Sequence, residues 1–175
     1  MLIFQKLRYK NFLSSGDTFT EIDFLANSTN LIIGSNGAGK STILDALTFV
    51  LFNRPFRKIN KPQLVNSVNE KNCVVEIEFS NNNHQYLVRR GIKPNVFDIE
   101  VDGKLLDKRG DDRDNQVTLE ENILKVNYKS FTQIVILGSS TFVPFMQLSA
   151  AHRREVIEDL LDIRVFSSMS SIVKE

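Results

Sequence analysis

Ile33-Gly34-Ser35-Asn36-Gly37-Ala38-Gly39-Lys40-Ser41-Thr42 packs three glycines and one lysine into a single short span. The apolar run Leu31-Ile32-Ile33 leads into it. Ile43, Leu44, Leu47, Val50 and Leu51 follow at helical spacing. A short buried strand over 30–33, a glycine loop and a helix are thus expected in that order. This is the context in which Gly-x-x-x-x-Gly-Lys-Ser reads as a Walker A loop. Glycines let the backbone bend so that successive N–H groups face phosphate oxygens. The helix starting near Lys40 adds its positive N-terminal dipole. Lys40 is expected to reach the β and γ phosphates, and the Ser41 hydroxyl to ligate Mg²⁺. The candidate nucleotide contacts are Asn36, Gly37, Ala38, Gly39, Lys40, Ser41 and Thr42, with ATP and Mg²⁺ as cofactors. The loop does not separate ATP from GTP. The Asn-Lys-x-Asp motif that reads guanine is missing, since Asn11, Asn53 and Asn127 lack the following Lys-x-Asp.

The rest of the composition suits one domain or one large lobe of 175 residues. Apolar residues make up 42%, with thirteen Phe, enough to build a core. The net charge of +1 excludes a globally basic nucleic-acid binder, so anion affinity must come from local patches. The single cysteine, Cys73, shares a strand face with Val75, Ile77 and Phe79 and reads as a reduced core thiol. One cysteine cannot form an internal disulfide, which points to a reducing cytoplasm. The start MLIFQKLRYKNF is too short and too charged for a signal peptide. No apolar run reaches ~18 residues, so no membrane span is expected.

Around the loop, 2–10 reads as a strand and Phe19, Ile22 and Phe24 as a second, less regular one. The helix after Lys40 should end near Asn53, because Pro55 disfavours helix at the residue before it. Residues 54–72 are polar and basic with no period. Strands are expected at 73–79, 84–92 and 96–102, with turns at Ser80–Asn83 and at Asp102-Gly103. Lys108–Asn115 reads as a charged loop, Leu119–Val126 as a short helix and Gln133–Gly138 as an apolar strand. Ser149 is a candidate N-cap for a helix running toward the C-terminus. The expected class is α/β: a P-loop lobe with a mixed sheet and an antiparallel meander after the first helix. The expected division is 1–148 for the lobe and 149–175 for the helical segment.

Hydrolysis needs an acidic strand end that completes the Mg²⁺ shell and positions water. Glu76 and Glu78, and Asp98, Glu100 and Asp102, alternate with apolar residues and read as solvated strand faces. Glu158-Asp159 sits in a helical pattern. No complete catalytic set is visible. The helical pattern still runs at Ile172-Val173-Lys174-Glu175, so the expectation is the N-terminal half of a longer protein.

Leu7-Arg8-Tyr9-Lys10-Asn11-Phe12, the early GSNGAGKST and Leu44–Phe52 resemble the N-terminal lobe of the SbcC-type ABC ATPases of double-strand-break repair, relatives of the structural-maintenance-of-chromosomes proteins. Phe52–Arg57, Gln63–Ser67, Lys93–Phe97 and Pro144-Phe145-Met146 resemble the T-even phage branch of that family. The resemblance implies a C-terminal lobe that supplies the signature motif and Walker B beyond a long coiled coil. It also implies ATP-dependent pairing of two heads, an SbcD-like nuclease subunit, and DNA. A phage-encoded chain would work in the bacterial host cytosol. Val156, Leu160 and Ile163, then Phe166, Met169 and Val173, fit either a coiled-coil seam or a core helix.

Two positions depart from that pattern. Ser139 stands where relatives carry a glutamine that helps hold Mg²⁺, so it is a candidate metal contact. Leu13 stands where relatives often carry a basic residue. The basic segment Arg54, Arg57, Lys58 and Lys61 either touches nucleotide or DNA phosphate, Arg57 and Lys61 being the candidates for nucleotide, or is a solvated loop. Arg89, Arg90 and Lys93, and Arg153 and Arg154, carry the same two readings for DNA. The alternatives to a repair ATPase are a condensin- or cohesin-like head that organises chromosomes and a small P-loop kinase.

Overall fold

A computed structural model describes residues 2–106, 111–136, 145–161, 163 and 169. The chain divides into two compact units, 1–116 and 117–175.

Unit one is a six-stranded sheet with one long helix. The strands are β1 (Ile3–Lys10), β2 (Thr20–Asp23), β3 (Cys73–Asn81), β4 (His84–Ile92), β5 (Val96–Val101) and β6 (Lys104–Leu105). Their order is β2-β1-β3-β4-β5-β6. Every pairing is antiparallel, so the mixed sheet expected from sequence is an antiparallel one among the described residues. The α/β class and the meander after the P-loop helix are as expected. Two-residue turns close the hairpins at Asn82-Asn83 (φ 49° and 67°) and Asp102-Gly103 (φ 51° and 76°). Tight hairpins need positive φ at both positions, which Asn, Asp and Gly tolerate.

Leu7, Val75, Ile77, Phe79 and Val88 form the inner face and are fully buried. Helix α1 (Lys40–Phe52) lies against β3 and β4. It is buried from Asp45 to Phe52, which fits an apolar run with no clean polar face. Asn53 ends it in the left-handed region at φ 55°, its N–H bonding Phe49 O. Arg90 of β4 donates to Val50 O at 3.2 Å and to Gln116 Oε1 at 2.6 Å, and Gln116 donates to Leu51 O at 2.9 Å. These side chains satisfy carbonyls that every helix leaves open at its C-terminus.

On the outer face, Glu21, Arg8, Glu76, Arg89 and Asp98 stand in one cross-strand row. Glu76 corrects the solvated-face expectation. It is 5% exposed, held by Arg8 Nη2 at 2.5 Å and Arg89 Nε at 2.6 Å. The long arginine stems cover it while their heads reach water.

Three further expectations change. Residues 30–33 are not a strand: Leu31 is 82% and Ile33 83% exposed. A run apolar on both faces suits a central strand, which needs a ladder on each side. No described strand lies beside it. Residues 133–134 lie in helix α3 (Tyr128–Ile134) and 135–136 in a turn, not a strand. Asn127 caps this helix, accepting from Ser130 N at 2.9 Å, and that local signal overrides the β-branched residues Ile134-Val135-Ile136. Residues 112–115 lie in α2 (Asp112–Val117) rather than a loop, with Asp111 Oδ1 accepting from Arg113 N at 2.7 Å. The remainder of the expected 133–138 strand, and 108–110, lie outside the described residues.

Unit two carries a wide helical turn at Thr118–Leu124, then α3, a short turn at Phe145–Gln147 and α4 (Ala150–Leu160). Lys129 Nζ meets Glu155 Oε2 at 2.6 Å, tying α3 to α4. Ser149 precedes α4 and its Oγ accepts from His152 N at 3.4 Å. No described helix is long and apolar enough to cross a membrane.

Candidate nucleotide-binding site

A cleft of 560 Å³ opens at the N-terminal end of α1. Asn36, Gly37, Gly39, Lys40, Ser41 and Thr42 form one wall. Ala38 and Gly34 are not in the lining, and a Cβ on Gly34 would come 3.0 Å from Ala38 Cβ, so this loop conformation favours glycine at 34. Gly37 and Gly39 take φ 87° and 89°, where a side chain is strained. Gly39 opens α1 without a side-chain cap, and no acidic residue stands in the first turn. The helix start is thus left open to an anion. Lys40 Nζ donates to two carbonyls of its own loop, Gly34 O at 2.7 Å and Ser35 O at 2.8 Å. An arriving phosphate would offer a charged, stronger acceptor.

The opposite wall comes from two loops: Leu13 and Ser14, and Ile59, Gln63, Val65 and Ser67; sequence reading noted Leu13 and Gln63–Ser67 but did not place them together at the site. A bridge between Phe12 and Val65 joins them, with Leu13 N donating to Leu64 O at 2.7 Å. Asn66 reinforces the joint. Its amide donates to Leu13 O and Ser15 O at 3.1 and 3.0 Å, and its Oδ1 accepts from Val68 N and Asn69 N. Asn11 is buried beside it, bonding Asp17 and Asn69. The Lys10 ammonium and then the Asn11 amide hold the Asp17 carboxyl below its ordinary range. Leu13 therefore contributes an apolar surface to the cleft.

Arg57 lines the cleft with the P-loop residues. Asp45 of α1, fully buried, accepts from Arg57 N at 2.9 Å and Nε at 2.7 Å, and lies 2.5 Å from Nη2. Asp45 was detectable as the lone acid in an apolar helical run. Lys61 is not among the lining residues. It opens the turn Lys61–Leu64, where burial and then Arg90 push its ammonium below the ordinary lysine range. Ser139 lies outside the described residues. No cluster of three His, Cys, Asp or Glu that could hold a metal occurs among the described residues.

The family model described as AAA domain matches residues 6–167. The chain belongs to that family. Among curated relatives it is 43% identical over 169 residues to exonuclease subunit 2 of Escherichia phage RB69, and 41% over 169 residues to exonuclease subunit 2 of Enterobacteria phage T4. Each alignment covers 97% of this chain and 30% of the relative. It is 28% identical over 180 residues to the DNA double-strand break repair Rad50 ATPase of Thermoplasma volcanium, covering 99% of this chain and 19% of that one. The chain thus spans under a third of the length of these AAA-domain relatives. The resemblance to the double-strand-break-repair ATPases, and to their T-even phage branch, is borne out. A solved chain from work on ATP-driven dimerization and DNA-stimulated activation of SMC ATPases shares the fold. Its TM-score is 0.62 at 24% identity, covering 90% of this chain and 98% of that one.

Proposed function

We propose that this AAA-domain chain is the nucleotide-binding lobe of an ATPase that controls a nuclease in DNA recombination and double-strand-break repair. The observation that carries this is the cleft at α1, with its two left-handed glycines and with Lys40 resting on its own loop carbonyls. Asn36–Thr42 would cradle the triphosphate through backbone N–H groups, and Lys40 would exchange loop carbonyls for phosphate. The Ser41 hydroxyl, in the lining and without an acidic neighbour in the first turn, fits an Mg²⁺ that keeps most of its waters. Mg²⁺ would neutralise phosphate charge. Arg57, in the cleft lining, supports a contact to the nucleotide; Lys61 and Ser139 are further proposed contacts within this reading.

The names of the relatives, exonuclease subunit 2 and Rad50 ATPase, support a nuclease subunit of the SbcD kind, DNA and a second copy of the head as partners. The exposed run Leu31-Ile32-Ile33, which leads into the P-loop, supports a further lobe, carrying an acidic strand, that covers it. Within this proposal, residues 1–148 form the lobe, 149–175 lead toward a coiled coil, and the protein works in the cytoplasm. Light scattering of the protein carrying both lobes, with and without Mg·ATP, tests the pairing. ATP should double the mass of the wild-type protein and leave Lys40→Ala unchanged. A wild-type mass indifferent to ATP would overturn it.

A further inference from the structure

We infer that Asp45 is a positioning residue for the nucleotide site: its buried carboxylate fixes Arg57 at the cleft as a preset donor to the bound triphosphate. The inference rests on the ATP reading above and deepens it. Asp45 stands four residues after Ser41 in α1 and is fully buried, in a stretch of the helix where Ala46, Leu47 and Phe49 are buried too. A carboxylate there is costly unless paired, and an apolar residue would serve stability at least as well. Both its oxygens are spent on one residue. Oδ1 takes the Arg57 backbone N–H, and Oδ2 takes Nε and Nη2.

That double hold fixes the backbone and the guanidinium of Arg57 together. The chain geometry allows it. Asn53 turns left-handed at the end of α1, buried Pro55 directs the return, and Arg57 comes back alongside the helix. The Arg57 side chain remains 47% exposed, lines the cleft with Lys40 and Ser41, and has no further partner for Nη1 among the described contacts. An arginine normally loses much rotamer freedom on binding; here that loss is incurred at folding.

Titration with a fluorescent ATP analogue and Mg²⁺, alongside thermal melting, tests this. Arg57→Ala and Asp45→Asn should each weaken binding by about tenfold. The double variant should be no weaker than Arg57→Ala alone, because Asp45 acts only through Arg57. A merely structural Asp45 would shift melting but leave that coupling absent. Multiplied effects, near a hundredfold in the double variant, would overturn the inference. So would wild-type affinity in Asp45→Asn or Arg57→Ala. Should Asp45→Asn fail to fold, Arg57→Lys keeps the carboxylate paired while losing the fork. It should bind about tenfold more weakly, and unchanged affinity would overturn the inference. Lys40→Ala separates the two levels: undiminished binding there would remove the ATP reading itself.

Discussion

Gly34→Ala tests the shape of the loop. The added Cβ would stand 3.0 Å from Ala38 Cβ, and its next neighbours, Lys40 Cγ and Cδ, are at ordinary contact distances of 3.9 and 4.0 Å. Carbon atoms prefer ~3.5–4.0 Å, so the conflict is with one methyl group. Overpacking by a methyl costs about 1–3 kcal/mol. Gly34 lies in an exposed loop away from the core, so the loop should shift while the fold survives. The cost then falls on nucleotide affinity, at about 5- to 140-fold. Ala38→Gly removes the opposing methyl and should restore the affinity of the Gly34→Ala protein. Gly37→Ala is the control. Nothing lies within 4 Å of a Cβ there, but its φ of 87° strains any side chain. That strain is about 1–2 kcal/mol, and Ala38→Gly should not relieve it. The assay is titration with a fluorescent ATP analogue and Mg²⁺. Failure of Ala38→Gly to rescue Gly34→Ala, or rescue of Gly37→Ala as well, would refute the steric reasoning.

Arg90→Ala removes bonds to Val50 O and Gln116 and the stack on Phe97 at 3.8 Å, and should cost about 3 kcal/mol in urea unfolding, with binding affinity retained in the folded fraction. Burial pushes the Cys73 thiol up to about 12, so Ellman's reagent at pH 8 should react with it only after denaturant is added. The Gln85 N–H and then His84 hold the Asp102 carboxyl below its ordinary range. This lowered group stabilises the fold above its unfolded pKa, and that stability is lost as pH falls through the lower folded value. Asp102→Asn should therefore flatten the acid limb of a stability-against-pH curve below about pH 4 and melt lower than wild type near neutrality.

The parts of the fold written in local pattern were legible from sequence. Helix α1 starts at Lys40 and ends at Phe52, where the period and Pro55 place it. The two hairpins turn at Asn82-Asn83 and Asp102-Gly103 because those residues tolerate positive φ. What depends on partners far along the chain was not legible. Leu31-Ile32-Ile33 has the composition of a central strand, but composition does not supply the neighbouring ladder. Gln133–Gly138 carries β-branched residues, yet a cap at Asn127 decides the local structure of 133–134. For the site, the P-loop was visible residue by residue. Most of the opposing wall was not, because Asn66 joins its two loops through hydrogen bonds to Leu13 O and Ser15 O that no spacing rule encodes. Arg57 could be nominated by charge alone; only the structure shows Asp45 holding it.

Equilibrium binding of ATP by the purified protein, with and without Mg²⁺ and in Lys40→Ala, tests the nucleotide site most directly. Saturable binding that strengthens with Mg²⁺ and disappears in Lys40→Ala is the expected result. Binding that is absent from the wild-type protein, or that persists undiminished in Lys40→Ala, would contradict it.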